Sequence, residues 1–217
     1  MKPILFNTDM VRAILAGKKT VTRRVVKPQN AVDADGKPHA FDRVEGNLLV
    51  WADKPNIKTA IKPPCQPGEI LYVRETWAST PDLFGEFPQY IYRADYSEKD
   101  LHLGEGNDET LTDFPACVKW RPSIHMPKEA ARIFLRVKNV RVEKLQEITE
   151  EEAKAEGCYA GPLLEGSELW VKARDHFLSV WDGTLKSNTD RDTYGWSANP
   201  WVWVIEFERC ERPKEAE

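Results

Sequence analysis

The first apolar run, Ile4-Leu5-Phe6, is short and predicts a strand that ends at Asn7-Thr8. Beyond it Met10, Val11, Ile14 and Leu15 recur at helical spacing, so a helix with one apolar face is expected over residues 9–16. Thr8 is its expected N-cap, Asp9 favours the first turn, and Gly17 supplies a left-handed stop. Val21-Thr22-Arg23-Arg24-Val25-Val26 alternates and is rich in β-branched residues, which predicts a strand ended by Pro28. Thr22 and Arg24 lie two apart on that strand and so share a face. Further along, Leu48-Leu49-Val50-Trp51 and Tyr90-Ile91-Tyr92 read as strands, and Ile70-Leu71-Tyr72-Val73-Arg74 follows the turn signal Pro67-Gly68-Glu69. Arg132 to Glu143 predicts one long bent strand, or two joined at Asn139.

Thr149-Glu150-Glu151-Glu152 has the Thr-to-Glu spacing of a capping box and opens a short helix that should stop at Gly157. Leu169, Trp170, Phe177, Leu178 and Trp181 predict a second amphipathic helix over about residues 167–182. A polar loop follows, then Trp201-Val202-Trp203-Val204-Ile205-Glu206-Phe207 as the closing strand, with Trp201 and Trp203 on one packing face. Strands dominate and the helices fall at crossovers. The expected class is α+β, mainly β: a small β-barrel with two or three short peripheral helices and long loop insertions, not a βαβ sheet. Residues 1–217 are expected to form a single domain.

Composition narrows the function classes. The chain has 217 residues, 41% hydrophobic and 30% charged, which is enough for a real core and argues against disorder. Its formal net charge of -4 excludes the broad positive surface of a protein that grips long stretches of phosphate backbone. A nucleic-acid contact, if made, is local, through a small basic pocket. Cys65, Cys117, Cys158 and Cys210 are far apart, as are the four histidines, so neither a metal site nor a disulfide framework is expected, and no cofactor. The N-terminal apolar run is too short for a signal-peptide core, and nothing approaches a membrane span, so a cytoplasmic protein without membrane partners is expected.

Three motifs together carry a family resemblance. Gly17-x-Lys19-x-x-Thr22-x-Arg24 resembles the GxKxxExR motif of the ASCH domain family, of the PUA-like superfamily, with Thr at the usual Glu position. Pro67-Gly68-Glu69-Ile70-Leu71-Tyr72-Val73-Arg74-Glu75 is similar to that family's second element, and Ile148-Thr149-Glu150-Glu151-Glu152-Ala153-Lys154-Ala155-Glu156-Gly157 to its third. Relative to the minimal domain, about residues 27–66, 78–130 and 158–200 would be insertions. Arg74-Glu75-Thr76-Trp77, Arg121 to Pro127 and Asn199-Pro200-Trp201 resemble the long ASCH proteins of phages and prophages.

The resemblance implies a barrel with its working site beside these motifs. In the small amidohydrolases of the family that deacetylate N4-acetylcytidine, a Lys, a Thr and a Glu act together. The matching residues here are Lys19, Thr22 and Glu156, implying Thr22 as nucleophile, Lys19 as its base and Glu156 as acid or base. Such chemistry needs an activated nucleophile, a proton for the leaving amine and charge stabilisation, for which Arg24 is a suitable cation. Substrate contacts are expected from Arg24, Arg74, Glu75, Trp77, Trp120, Arg121 and His125, because aromatic rings beside Arg suit base stacking at about 1–3 kcal/mol per base. The core reading competes for Trp77 and Trp120. The expected function is recognition of a base or modified nucleoside, with hydrolysis of an N4-acylcytidine-type amide as its sharpest form. A noncatalytic RNA- or DNA-binding module and a ribonuclease are the alternatives.

Overall fold

A computed structural model describes residues 1–32, 38–39, 41, 43–45, 48–54, 57–80, 89–97, 119–162 and 168–213. Cys117 and most of the acidic stretch between residues 95 and 116 lie outside the described residues. In chain order the elements are strand β1 (Lys2–Leu5), helix α1 (Thr8–Leu15), β2 (Val21–Val25), β3 (Ala31–Val32), β4 (Pro38–His39), β5 (Arg43–Glu45), β6 (Leu48–Lys54) and β7 (Ile57–Ile61). Then come β8 (Ile70–Arg74), β9 (Trp77–Thr80), β10 (Gln89–Tyr92), β11 (Phe134–Lys144), α2 (Glu150–Ala155), β12 (Gly161–Pro162), β13 (Trp170–Val171), α3 (Ala173–Gly183), α4 (Asn188–Tyr194) and β14 (Trp201–Cys210). The class is mixed α+β with strands dominating. The main sheet has five strands in the order β1-β8-β11-β14-β2, and the described residues do not close it into a barrel. No described helix is long and apolar enough to cross a membrane.

The chain divides into two compact units, each built from separate stretches of sequence. The first comprises Met1–Gly17, Ile70–Leu135 and Arg209–Glu217. In it β1 pairs in parallel with β8, and α1 follows β1 directly. Asn7, not Thr8, caps α1: its side chain accepts from the Met10 N–H at 2.8 Å. Val11 and Ile14 bury the apolar stripe, and Gly17 takes φ +70°, the left-handed stop expected there. The core of this unit gathers Tyr72, Trp77, Met126, Ala130, Ala131 and Phe134.

The second unit comprises Lys18–Glu69 and Arg136–Glu208. Here β14 pairs antiparallel with β2, setting Trp203 opposite Arg24 and Ile205 opposite Thr22. Val202, Trp203, Val204 and Ile205 are all buried, so β14 is covered on both faces instead of alternating. Val21, Leu145, Ile148, Ala153, Ala173, Phe177, Trp181, Val202 and Val204 form the core. Residues 134–144 run as one strand through Asn139, with no break.

Helix α2 carries the expected capping box: the Glu152 N–H bonds the Thr149 hydroxyl and the Thr149 N–H bonds the Glu152 carboxylate. Its end is a Schellman motif, with Gly157 at φ 87° and hydrogen bonds from Gly157 N to Lys154 O and from Cys158 N to Ala153 O. The helix expected over 167–182 begins later, at Ala173. Leu169 and Trp170 are exposed, and Trp170 pairs with Pro162 in a two-residue ladder. The start is fixed from a distance: the Glu150 carboxylate accepts the Ala173 and Arg174 N–H groups at 2.6 and 3.1 Å. The polar segment expected to be loop contains α4, capped by Ser187.

Candidate functional site

The two motif positions farthest apart in sequence meet in the second unit. Residue 19 leaves the turn at Gly17, and residue 156 is the C-cap of α2, so both sit at helix ends whose geometry glycine fixes. Backbone pairing docks them: Lys19 and Glu156 form an antiparallel bridge, and the Thr20 N–H bonds Ala155 O at 2.8 Å. Lys19 Nζ then donates to Val21 O at 2.8 Å, to Glu156 O at 2.9 Å and to Glu156 Oε2 at 2.5 Å. The two side chains are 0% and 5% exposed. An ammonium has three N–H donors, and here those three bonds use them.

Arg23, which the motif positions do not include, is the other buried cation. Its side chain is fully enclosed and lies on the core face with Val21 and Val25, 5.9 Å from the Phe177 ring centroid. It bonds Glu143 at 2.6 Å, Glu152 at 2.8 Å and Glu156 at 3.4 Å. Arg141 extends the set to Glu143 at 3.1 Å and, by close contacts, to Glu152 and Glu206. Lys19, Arg23 and Arg141 thus face four carboxylates. Arg24 brings a further positive charge: it is half-buried, desolvation pulls its guanidinium below its ordinary value, and Glu156 pushes back. It remains charged at neutral pH.

Two sequence signals could have found this network. Arg23 stands between β-branched residues on the core face of a strand, where a charge needs partners. Arg141 and Glu143 lie two apart on a strand and therefore share a face. Glu152 was legible only as a cap, yet the oxygen that caps Thr149 also accepts from Arg23.

Thr22 is buried at 3% exposure on the opposite face of β2 from Arg23. Among the described residues no hydrogen bond joins its hydroxyl to Lys19 or Glu156. Lys19 and Glu156 are therefore brought together, with Arg24 within electrostatic reach of Glu156, while the Thr22 hydroxyl is bonded to neither.

The remaining candidates, Arg74, Glu75, Trp77, Trp120, Arg121 and His125, belong to the first unit. Glu75 is 1% exposed and takes a two-pronged bond from Arg132, Nε to Oε1 and Nη2 to Oε2, each 3.0 Å. Arg132 also bonds Asp95 at 2.7 Å and lies 3.9 Å from the Tyr92 ring centroid. Burial pushes the Glu75 carboxyl above the usual carboxylate range, and Arg132 pulls it partly back. That makes Glu75 a packed structural ion pair and not an open substrate contact.

Trp77 is a core residue at 4% exposure, with Tyr90 set edge-on at 5.7 Å. It offers no free face for stacking a base. Its backbone exchanges two hydrogen bonds with Arg121, whose guanidinium sits 5.2 Å from the indole centroid. Trp120 is half-buried and tilted against Tyr96 at 5.9 Å. His125 is exposed at the end of a single 3-10 turn over Ser123–His125. Trp77 Nε1 and Arg74 Nε are buried with no hydrogen-bond partner among the described residues. An orphaned buried donor costs about 1–3 kcal/mol, so two in one cluster require an explanation.

Among the described residues no three His, Cys, Asp or Glu side chains converge as metal ligands would. No protein-family model, no curated protein and no solved structure matches this chain.

Proposed function

We propose that this protein is an ASCH-type, PUA-like β protein that recognises a nucleic-acid base or modified nucleoside at the second unit's surface beside Lys19, Thr22, Arg24 and Glu156. The observation that carries the reading is the buried Lys19–Glu156 pair. Residues at matching positions of two separate motifs, 137 apart in sequence, meet at hydrogen-bond distance next to a half-buried arginine. Burying an ion pair gains little stability over apolar packing, so its presence calls for a role in shaping or charging a site. A base edge presents acceptors, and the half-buried Arg24 guanidinium supplies donors that complement them.

The sharpest form of the proposal is hydrolysis of an N4-acylcytidine-type amide. Thr22 would attack the acyl carbon and form an acyl-enzyme ester as the C–N bond breaks. Its proton would pass to Lys19 once the Lys19–Glu156 pair had shifted its shared proton to Glu156. The leaving amine would take the proton held on Glu156, and water, giving a proton to Glu156, would then hydrolyse the ester as Thr22 takes its proton back from Lys19. One observation favours recognition without chemistry: Lys19 spends its three N–H bonds within the protein, and none reaches Thr22.

Incubating the protein with N4-acetylcytidine, beside Thr22→Val and Arg24→Gln, tests both forms. Cytidine release that Thr22→Val abolishes supports the hydrolase. Binding without release, weakened about tenfold or more by Arg24→Gln, supports the recognition module. Neither turnover nor binding of N4-acetylcytidine, cytidine or a short RNA by folded protein would overturn the proposal.

A further inference from the structure

The first unit holds a cluster that the Lys19–Glu156 reading does not use. The enclosed and half-enclosed arginines described above face carboxylates: Arg23 bonds Glu143, Arg132 bonds Glu75 and Asp95, Arg141 bonds Glu206, and Arg24 lies within electrostatic reach of Glu156. Arg74 and Arg121 have none among the described residues. Arg74 donates one long bond, Nη1 to Ile124 O at 3.3 Å, and lies 5.6 Å from the Tyr72 ring centroid. Among the described residues nothing partners its buried Nε or the buried indole Nε1 of Trp77, a residue 4% exposed.

These features share one neighbourhood. Residue 74 ends β8 and residue 77 opens β9, so the turn between them holds the two donors three residues apart. Arg121 is fastened to Trp77 by the backbone pair and stacks over its indole, while remaining exposed itself. Ile124, whose carbonyl anchors Arg74, is 59% exposed, so the cluster reaches the surface. Two uncompensated guanidiniums and two orphaned N–H donors, with no acceptor of their own, have the complement of an oxyanion. A ring-stacked arginine is held in place yet keeps its donors available.

We propose that Arg74, Trp77 and Arg121 form a binding site for an oxyanion of the phosphate class, with the Trp77 indole N–H and the Arg74 Nε–H as inner donors and Arg121 as the outer clamp. The site is independent of the Lys19–Glu156 pair, and its test leaves that reading untouched. The same chemistry is offered by a free phosphate monoester and by the phosphodiester backbone of a nucleic acid.

Eight tryptophans give eight indole N–H signals in a nitrogen–proton correlation spectrum, and Trp77→Phe identifies one by its loss. The seven remaining signals, if unmoved, show that this variant is folded. Inorganic phosphate, a nucleoside 5′-monophosphate and a single-stranded oligonucleotide are titrated in turn at constant chloride. The expected result is a saturable shift of the Trp77 signal, with Arg121→Gln and Arg74→Gln each weakening binding about fivefold or more. Phosphate and monophosphate binding as tightly as the oligonucleotide assigns the site to free monoesters. An oligonucleotide preference of about tenfold, with a shallow salt dependence, assigns it to a backbone phosphate. A Trp77 signal that none of the three moves, or a shift that survives both arginine substitutions, overturns the proposal.

Discussion

Glu156→Gln removes the carboxylate from a lysine whose side chain has no exposure. Lys19 keeps its two carbonyl acceptors, Val21 O and Glu156 O, and Gln offers an amide oxygen in the old position. What is lost is the counter-charge. Breaking a buried pair on one side costs about 3–5 kcal/mol, and the surviving hydrogen bonds put this case near the lower end, about 3 kcal/mol. The contact to Arg23 adds little, because that bond is 3.4 Å long and Arg23 retains Glu143 and Glu152. In a chain of this size, about 3 kcal/mol lowers Tm by about 6–12 °C. Urea unfolding followed by tryptophan emission reads it, since Trp181 and Trp203 are buried in the same unit. The double variant Lys19→Met/Glu156→Leu should recover most of the loss, because it leaves no buried charge unpaired. A Glu156→Gln protein within about 0.5 kcal/mol of the parent, the range of a solvated pair, would refute the reasoning. So would a double variant no more stable than the single.

Three further outcomes are expected. Arg132→Met strips Glu75 of its counter-charge and lets burial raise its carboxyl further; a folded-state value above the unfolded one gives stability that is full below about pH 4.3 and lost as pH rises through the folded value, so this variant should unfold more readily at pH 8 than at pH 5. Stability curves for parent and variant with the same slope across that range would count against this. Gly17→Ala meets no atom within 4 Å but forces a side chain into φ +70°, so chemical denaturation should show a loss of about 1–2 kcal/mol from backbone strain alone. The Cys158 thiol is pushed up to about 11 by burial, with Glu156 adding to it; alkylation at pH 8, followed by peptide mass spectrometry, should proceed far more slowly there than on a free cysteine added to the unfolded chain.

Local signals were legible where a short stretch of chain settles its own conformation. The strand at Ile70–Arg74 was read with its observed bounds, and the Thr149–Glu152 box and the glycine stops at Gly17 and Gly157 were found where their spacing placed them. Capping and left-handed turns involve atoms three or four residues apart, so sequence carries them. Helix α3 shows the opposite case. Leu169 and Trp170 continue an apolar period, but the carboxylate of Glu150 fixes the first turn at Ala173 and leaves them outside. Trp77 shows it again, since a tryptophan beside an arginine reads as a stacking platform until its neighbours enclose it.

By itself the sequence determined the α+β class, the order of the main strands and helices, and the identity of the charged motif residues. Those follow from periodicity, propensity and short-range hydrogen bonding. Only the tertiary structure decided which charges meet. Lys19 and Glu156 come within 2.5 Å because a turn after one helix docks on the end of another, far along the chain. Arg23 replaces Arg24 as the enclosed cation because alternation along β2 turns residue 23 to the core. A buried charge acquires its partner from whatever the fold brings near it, and that proximity is a property of packing, which no local pattern encodes.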